Sequence, residues 1–171
     1  SNVILFTSSM SGEGKSFLSL NLGSALALTG KKVVFMEMDL RKPKLSESLG
    51  LSMDNGFTNY AISEDANYNF DKLIKSLSFS PNCYLISSGP IPPNPTELLV
   101  NGKLETLIDY LKAKFDYIVI DCAPIGLVTD AQMLEKYADL TLYVTRQGYT
   151  YKSQLNIIND LHRTNKVKNL Y

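Results

Sequence analysis

The stretch that decides the fold of this chain is VILFTSSMSGEGKS, residues 3–16. Residues 3–7 form an uninterrupted apolar run that predicts a buried strand, and a helix is predicted over Lys15–Leu28. The Gly/Ser turn between them directs backbone N–H groups inward and creates a nest that binds anions. The start of the helix adds roughly half a positive charge at the same place. The stretch therefore predicts a phosphate-binding loop.

Each position of this loop has a predicted part in holding a nucleotide. Lys15 is expected to reach the β- and γ-phosphates, and the hydroxyl of Ser16 is expected to bind Mg²⁺. The residues predicted to bind the nucleotide, ATP or ADP, are Ser11, Gly12, Glu13, Gly14, Lys15, Ser16 and Phe17. The general pattern has glycine five positions before Gly14, where this chain has Ser9. An ordinary Gly/Ser turn before a helix is the alternative, and the motifs at the other strand ends weigh against it.

Short apolar runs alternate with longer amphipathic segments along the rest of the chain. The further predicted strands are residues 32–38, 84–87, 117–120 and Leu140–Val144, with residues 169–171 as the start of another. The further predicted helices are Phe57–Ile62 and residues 70–76, 96–114, 131–137 and 152–163. In the first helix, the apolar residues that recur at helical spacing are Phe17, Leu20, Leu22, Ala25 and Leu28.

The predicted strands are apolar throughout instead of alternating, which is typical of a parallel sheet covered by helices on both faces. Strands that alternate with helices build right-handed βαβ units. The sequence therefore predicts an α/β fold, a three-layer P-loop NTPase with a mostly parallel central sheet. Residues 1–171 are expected to form a single domain, shortened at both ends relative to the native protein.

Carboxylates follow two of the apolar strands. Glu37 and Asp39 come at the end of the second strand, and Asp121 follows the strand at 117–120. Because ligands of such sheets bind at the carboxyl ends of the strands, these acids are expected beside the phosphate-binding loop. Mg²⁺ prefers oxygen ligands, so the predicted metal residues are Ser16, Asp121 and, second among the acids, Asp39. A helix or turn cap is the alternative for either aspartate alone.

Composition argues against several classes of function. Lysine and arginine number 17 and aspartate and glutamate also number 17, so the net charge of zero gives no support for a nucleic-acid partner. Cys83, Cys122 and His162 are too few to build a zinc site, and a reduced, cytoplasmic chain is favoured. No apolar run approaches the roughly 20 residues that a membrane span needs.

Three motifs resemble those of the bacterial tyrosine kinases called BY-kinases, which are linked to capsule and exopolysaccharide export. The loop at residues 9–16 is similar to theirs, including a small residue in place of the first glycine. The run EMDLR at residues 37–41 looks like their Asp-x-Asp-x-Arg motif, and IVIDCAP at residues 118–124 matches their third motif. Residues 88–99 and 128–131 strengthen the likeness, which spans nearly the whole chain.

The resemblance implies a reaction and roles for particular residues. The γ-phosphoryl group of Mg-ATP is expected to pass to a tyrosine hydroxyl, with Lys15 stabilising charge. In the family the first aspartate of the second motif is proposed to take the tyrosine proton, and here that position is Glu37, whose carboxylate sits one methylene further out. Asp39 joins it as a predicted catalytic residue, and Arg41 is expected either to neutralise phosphate charge or to pair with a carboxylate.

The resemblance also implies partners and a location. The expected partners are a membrane activator protein or a fused upstream membrane segment, and protein tyrosines that include those of neighbouring subunits in a ring-shaped homo-oligomer. The domain is expected at the cytoplasmic face of the plasma membrane as part of a membrane protein, although this fragment itself is expected to be soluble. Tyr149 and Tyr151 are candidate phosphoacceptors, with packing or a helix start as the favoured alternative.

Two other functions stay open. A partitioning ATPase would use water as the acceptor, but those proteins carry a signature lysine five positions before the loop lysine, where this chain has Met10. A nucleotide-binding regulator with negligible chemistry is the third possibility, and Glu37 is the feature that keeps it open.

Overall fold

The computed structural model describes residues 2–125, 130–163 and 169–171, and its centre is one six-stranded sheet. The strands are β1 (Asn2–Ser8), β2 (Val33–Met38), β3 (Lys75–Ser76), β4 (Cys83–Ile86), β5 (Tyr117–Cys122) and β6 (Leu140–Val144). Their order across the sheet is β3-β4-β2-β5-β1-β6. All neighbours are parallel except the short β3, which runs antiparallel to β4.

Helices connect the strands and cover both faces of the sheet. They are α1 (Lys15–Leu28), α2 (Leu45–Ser48), α3 (Phe57–Ile62), α4 (Pro95–Val100), α5 (Lys103–Lys114), α6 (Asp130–Glu135) and α7 (Leu155–Arg163). Two short 3₁₀ turns, at Phe70–Leu73 and Lys152–Gln154, complete the set. Within the described parts of the chain, no helix combines the length and apolar character that crossing a bilayer requires.

The core has two halves because successive residues of a strand point to opposite faces. Along β2, Val34 and Met36 belong to the cluster that includes residues of α5, while Val33 and Phe35 belong to the cluster that includes Ala27 of α1. Both faces are therefore buried under helices, which explains why the strands carry no alternation in sequence. The predicted three-layer α/β fold with a mostly parallel sheet is confirmed.

The first helix has the predicted bounds, but it fully buries none of the apolar residues that recur at helical spacing, and of these Leu20 alone packs partly buried against the core. Its buried positions are Lys15, Ser19, Gly23 and Ala27, whereas Phe17 is 70% exposed and Leu28 is 87% exposed. The reason is close packing on the sheet. A Cβ atom at Gly23 would lie 2.3 Å from a ring atom of Phe35, so small residues let the helix approach β2.

Three predicted helices differ from the structure. Residues 96–114 form α4 and α5 as separate helices, because Gly102 between them has a left-handed φ of 82° that glycine adopts at little cost. Residues 70–76 form a 3₁₀ turn and then β3, because β3 pairs with β4. Residues 152–163 begin with a 3₁₀ turn before α7.

Two further predictions concern the later part of the chain. The helix predicted at 131–137 is α6, displaced by one or two residues at its ends. Residues 169–171 run beside β6 through a parallel bridge between Thr141 and Leu170, which agrees with the predicted start of a strand. Val128 and Thr129, which contributed to the family resemblance, lie outside the described residues.

Candidate active site

The loop between β1 and α1 has the backbone of an anion-binding nest. Gly12 and Gly14 both have left-handed φ values, 90° and 95°, where a side chain would be strained. The Glu13 side chain ties the loop together, since it accepts hydrogen bonds from Ser9 Oγ at 2.8 Å and from the Met10 N–H at 2.9 Å. The nest predicted at this position is therefore held in shape by the loop's own residues.

The carboxyl group of Glu13 is nearly fully buried, and it also accepts a hydrogen bond from Thr150. Burial pushes the pKa of this carboxyl upward, but the hydrogen bonds from Thr150, Met10 and Ser9 outweigh that effect. The pKa of Glu13 consequently lies below its ordinary value. The charged form of Glu13 thus helps to hold the conformation of the phosphate loop. This side chain therefore has a structural role in addition to any contact with a nucleotide.

Asp121 at the end of β5 engages both functional side chains of the loop. Lys15 Nζ forms an ion pair with Asp121 Oδ1, and Ser16 Oγ donates to Asp121 Oδ2 at 2.6 Å. Burial raises the pKa of Asp121, while the charge and hydrogen bond of Lys15 and the bond from Ser16 oppose that rise. The strand register explains why Asp121 reaches the phosphate loop, because β1 and β5 are neighbours that pair Phe6 with Asp121.

A cleft of about 420 Å³ opens over the loop. One wall consists of the phosphate loop and the start of α1, and the other is formed by residues that follow β2. The residues of this second wall are Asp39, Lys42, Lys44, Ser48 and Leu49. All seven residues predicted to bind the nucleotide line the cleft, as does Asp121. Lys42 and Lys44 were not predicted, although both flank the recognised motif in sequence.

The donor set of the cleft fits a magnesium nucleotide. Ser16, Asp39 and Asp121 offer one hydroxyl and two carboxylates, all hard oxygen ligands, beside a backbone nest for phosphates. Among the described residues, no group of three or more His, Cys, Asp or Glu side chains could hold a metal ion alone. Mg²⁺ at such sites completes its shell with phosphate oxygens and water, so two protein carboxylates are sufficient.

The two carboxylates of the second motif lie in different surroundings. Glu37 is fully buried and does not line the cleft; it accepts from the Ser46 N–H at 3.0 Å, from Ser46 Oγ, and from the Ser88 N–H at 3.3 Å. Asp39 lines the cleft and accepts from the Lys42 N–H at 3.0 Å. The structure therefore brings Asp39 to the phosphate loop and places Glu37 in contact with α2 and the segment after β4.

Arg41 pairs with a carboxylate, the second of the two roles considered for it. Its Nε donates to Asp130 Oδ2 at 3.0 Å, and an Nη atom donates to Thr96 Oγ1 at 3.0 Å. Thr96 in turn donates to Asp130 Oδ1 at 2.9 Å. Arg41 does not line the cleft, and it links the segment after β2 to α4 and α6.

Sequence reasoning missed the residues that contact the phosphate loop from outside the cleft. Arg146 donates to the Gly12 carbonyl at 3.1 Å, Tyr149 donates its hydroxyl to the Ser11 carbonyl at 2.9 Å, and Thr150 bonds Glu13. These contacts join segments more than 130 residues apart, so no local pattern could have revealed them.

A strand, an anion-binding nest and a helix, with the loop lysine and serine held by a carboxylate from the neighbouring strand, define a P-loop nucleotide-binding domain. A family model described as an AAA domain matches residues 1–169, and the chain belongs to that family. Tyrosine-protein kinase YwqD of Bacillus subtilis is 34% identical over 151 residues, which is 88% of this chain and 62% of the relative. Other relatives are longer, and the chain covers about a fifth of them.

Solved structures agree with this placement. The chimerical protein CapA2B2 superposes with a TM-score of 0.89 at 29% identity, covering 98% of this chain and 72% of that one. The septum site-determining protein MinD of Pyrococcus horikoshii, solved with Mg-ADP, shares the fold with a TM-score of 0.74, over 97% of this chain and 66% of MinD, at 24% identity. The predicted resemblance to bacterial tyrosine kinases is confirmed.

Proposed function

We propose that this chain is the ATP-dependent core of a protein-tyrosine kinase, which transfers the γ-phosphoryl group of Mg-ATP to a tyrosine hydroxyl. One observation carries the proposal: Lys15, Ser16 and Asp121 meet at the end of a cleft whose opposite wall presents Asp39. The similarity to tyrosine-protein kinase YwqD supports tyrosine as the acceptor.

The chain's own residues act mainly by positioning and by electrostatics. When bound, Mg-ATP supplies the phosphoryl group and the metal's charge. The residues from Ser11 to Phe17 hold the phosphates, with Lys15 neutralising negative charge. Ser16, Asp39 and Asp121 would supply the oxygen ligands for the metal. Asp121 holds Lys15 by the ion pair and Ser16 by a hydrogen bond, and both side chains would be released from it to the phosphates and the metal.

The proton of the acceptor tyrosine needs a carboxylate within hydrogen-bond reach. Asp39 faces the cleft and accepts a single backbone hydrogen bond, so we assign this role first to the Asp39 oxygen that would not bind the metal. Glu37 stays a predicted base for this proton, but it would have to give up its hydrogen bonds to Ser46 and Ser88 to reach the cleft. Arg41 is proposed to act at a distance, by fixing the segment after β2 through Asp130.

The setting of the activity is also a proposal, which rests on the resemblance to BY-kinases. The domain works at the cytoplasmic face of the plasma membrane, switched on by a membrane activator or by an upstream membrane segment of its own protein. Its substrates include tyrosines of neighbouring subunits in a ring, and its output regulates capsule or exopolysaccharide assembly and export. The zero net charge supports a protein partner over nucleic acid.

A second candidate function is a nucleotide-dependent switch of the partitioning type, in which water accepts the phosphoryl group. The shared fold with MinD favours it. The two functions differ in the fate of the γ-phosphate, which ends on tyrosine in one case and as free phosphate in the other.

The deciding experiment follows radiolabelled γ-phosphate with the full-length protein. We expect label on tyrosine, lost in Lys15→Ala and Asp39→Asn and retained in the surface control Lys31→Ala. The variant Glu37→Gln then separates a base from a buried support, since the amide keeps an acceptor oxygen for the Ser46 and Ser88 N–H groups but cannot take the tyrosine proton. Free phosphate without any phosphotyrosine would instead establish the switch.

A further inference from the structure

Residues 145–151, named here the outer loop, join β6 to the 3₁₀ turn before α7 and pack against the phosphate loop. Arg146, Tyr149 and Thr150 supply the three contacts, to the carbonyls of Gly12 and Ser11 and to the Glu13 side chain. None of these three residues lines the nucleotide cleft. The outer loop therefore contacts the phosphate loop from outside the cleft.

The Tyr149 hydroxyl occupies a tight position in this contact. A Cβ atom at Gly12 would lie 2.5 Å from the hydroxyl oxygen, so the phenol rests directly on the backbone of the loop. The hydroxyl itself donates to the Ser11 carbonyl, and its loop neighbours Arg146 and Thr150 also bond to acceptors, the Gly12 carbonyl and the Glu13 carboxylate. The Arg146 guanidinium lies 5.2 Å from the centre of the Tyr149 ring. Tyr149 is nonetheless 41% exposed, and residues 145–149 are all exposed.

We propose that Tyr149 is a phosphorylation site and that its phosphate releases the outer loop from the phosphate loop, which weakens nucleotide binding. The proposal rests on the proposed tyrosine kinase activity. Because Tyr149 lies outside its own cleft, the ATP belongs to a second molecule. A bond forms between Tyr149 Oη and the γ-phosphorus as the bond from that phosphorus to the β,γ-bridging oxygen breaks. ADP leaves, and the phenolic proton passes to a carboxylate of the second molecule's cleft and then to water.

The consequences follow from charge and space. A phosphorylated tyrosine has no hydroxyl proton to donate to Ser11, and it adds about −1.5 to −2 charge units. That charge would lie against the Ser11 carbonyl, which accepts the present hydrogen bond, and the backbone of Gly12 leaves no room for it. Arg146 is the nearby cation, and a guanidinium binds a phosphate more strongly than a carbonyl. Arg146 therefore breaks its bond to the Gly12 carbonyl and binds the phosphate instead. The outer loop then detaches as a unit.

The site of modification is tested in the full-length protein incubated with Mg-ATP. Phosphotyrosines are mapped by mass spectrometry in the wild type and in Tyr149→Phe, with Tyr151→Phe as a matched control. Tyr151 is 65% exposed and lies two residues further along the same loop. We expect phosphate on Tyr149 in the wild type and in Tyr151→Phe. Phosphotyrosine elsewhere but never at Tyr149 would overturn this inference and leave the kinase function intact, whereas no phosphotyrosine anywhere would overturn both.

The effect on nucleotide is measured separately, without relying on the protein's own activity. Phosphotyrosine is incorporated at position 149 or at position 151 during translation, and the affinity for ATP is measured by calorimetry. Loss of three outer hydrogen bonds is expected to weaken binding about tenfold at position 149. Position 151 is expected to leave the affinity unchanged. Equal affinities for the two proteins would show that the outer loop does not control nucleotide binding. That result would overturn the proposed effect of the phosphate on Tyr149.

Discussion

The two walls of the cleft are built on different physical terms. The phosphate-loop wall is held by buried charges, with Lys15 and Asp121 paired and Glu13 enclosed by donors. None of the charged residues of the wall after β2 is buried, and Glu37, the buried carboxylate near the end of β2, does not line the cleft. Asp39 and the lysines that face the cleft have few partners. In the proposed function, the first wall would hold phosphate, and the second would keep its cleft-facing groups available for an acceptor and a metal.

The largest expected effect comes from removing the central pair of the first wall. Lys15→Ala should lower phosphotransfer by at least about 10³-fold, because charge stabilisation at the transferred phosphoryl group is lost. It should also destabilise the fold by roughly 3 kcal/mol, since Asp121 is left as an unpaired buried charge. Rates and thermal unfolding test both, with Lys31→Ala as the surface control. Full stability in Lys15→Ala would show that the ion pair does not hold this wall.

Asp39→Asn tests the second wall with a minimal change of shape. The rate of tyrosine phosphorylation should fall about 10²-fold or more, because the amide cannot take a proton, whereas unfolding should change little. Single-turnover kinetics at saturating ATP and a melting curve give the two answers. An unchanged rate would return the base role to Glu37.

In contrast to Asp39→Asn, Glu37→Ala is expected to affect the stability of the protein more than the chemistry. It leaves the Ser46 and Ser88 N–H groups without their acceptor, and each orphaned donor costs about 1–3 kcal/mol. Chemical denaturation should therefore report a less stable protein, with Asp39→Asn as the comparison. If Glu37→Ala melts like the wild type but is inactive, the assignment of a structural role to Glu37 and of the base role to Asp39 is wrong.

The smallest expected effect concerns pH and Glu13. Its pKa is lower in the folded protein than the ordinary value of 4.5, so its stabilising contribution is present above that pH and is lost as the pH falls through the folded pKa. Glu13→Gln should be less stable than the wild type at neutral pH, and the gap should narrow in acid below 4.5. Melting curves at several pH values measure this difference in stability. A difference that is independent of pH would show that the charge of Glu13 is not its source.

The sequence predicted the sheet well because its parallel strands are uninterrupted apolar runs. It could not say which residues of α1 face the sheet, since that depends on the contact between Gly23 and Phe35 across two elements. The same limit applied to Glu37 and Asp39. Strand periodicity alone would put both on one side, but β2 ends at Met38, so Asp39 lies outside the strand, directly before a bend at residues 40–42. The contacts of Arg146 and Tyr149 depend wholly on tertiary structure.

The strand order has one last consequence, for communication across the molecule. β1 lies between β5, which carries Asp121, and β6, which leads into the outer loop. Neighbouring strands are about 4.8 Å apart, so Asp121 and the exposed outer loop are separated by roughly 10 Å of sheet. Movement of the phosphate loop on exchange of ATP for ADP would reach the protein's exterior in a single step, without a chain of intermediates. A molecule with this layout can display its nucleotide state on its surface.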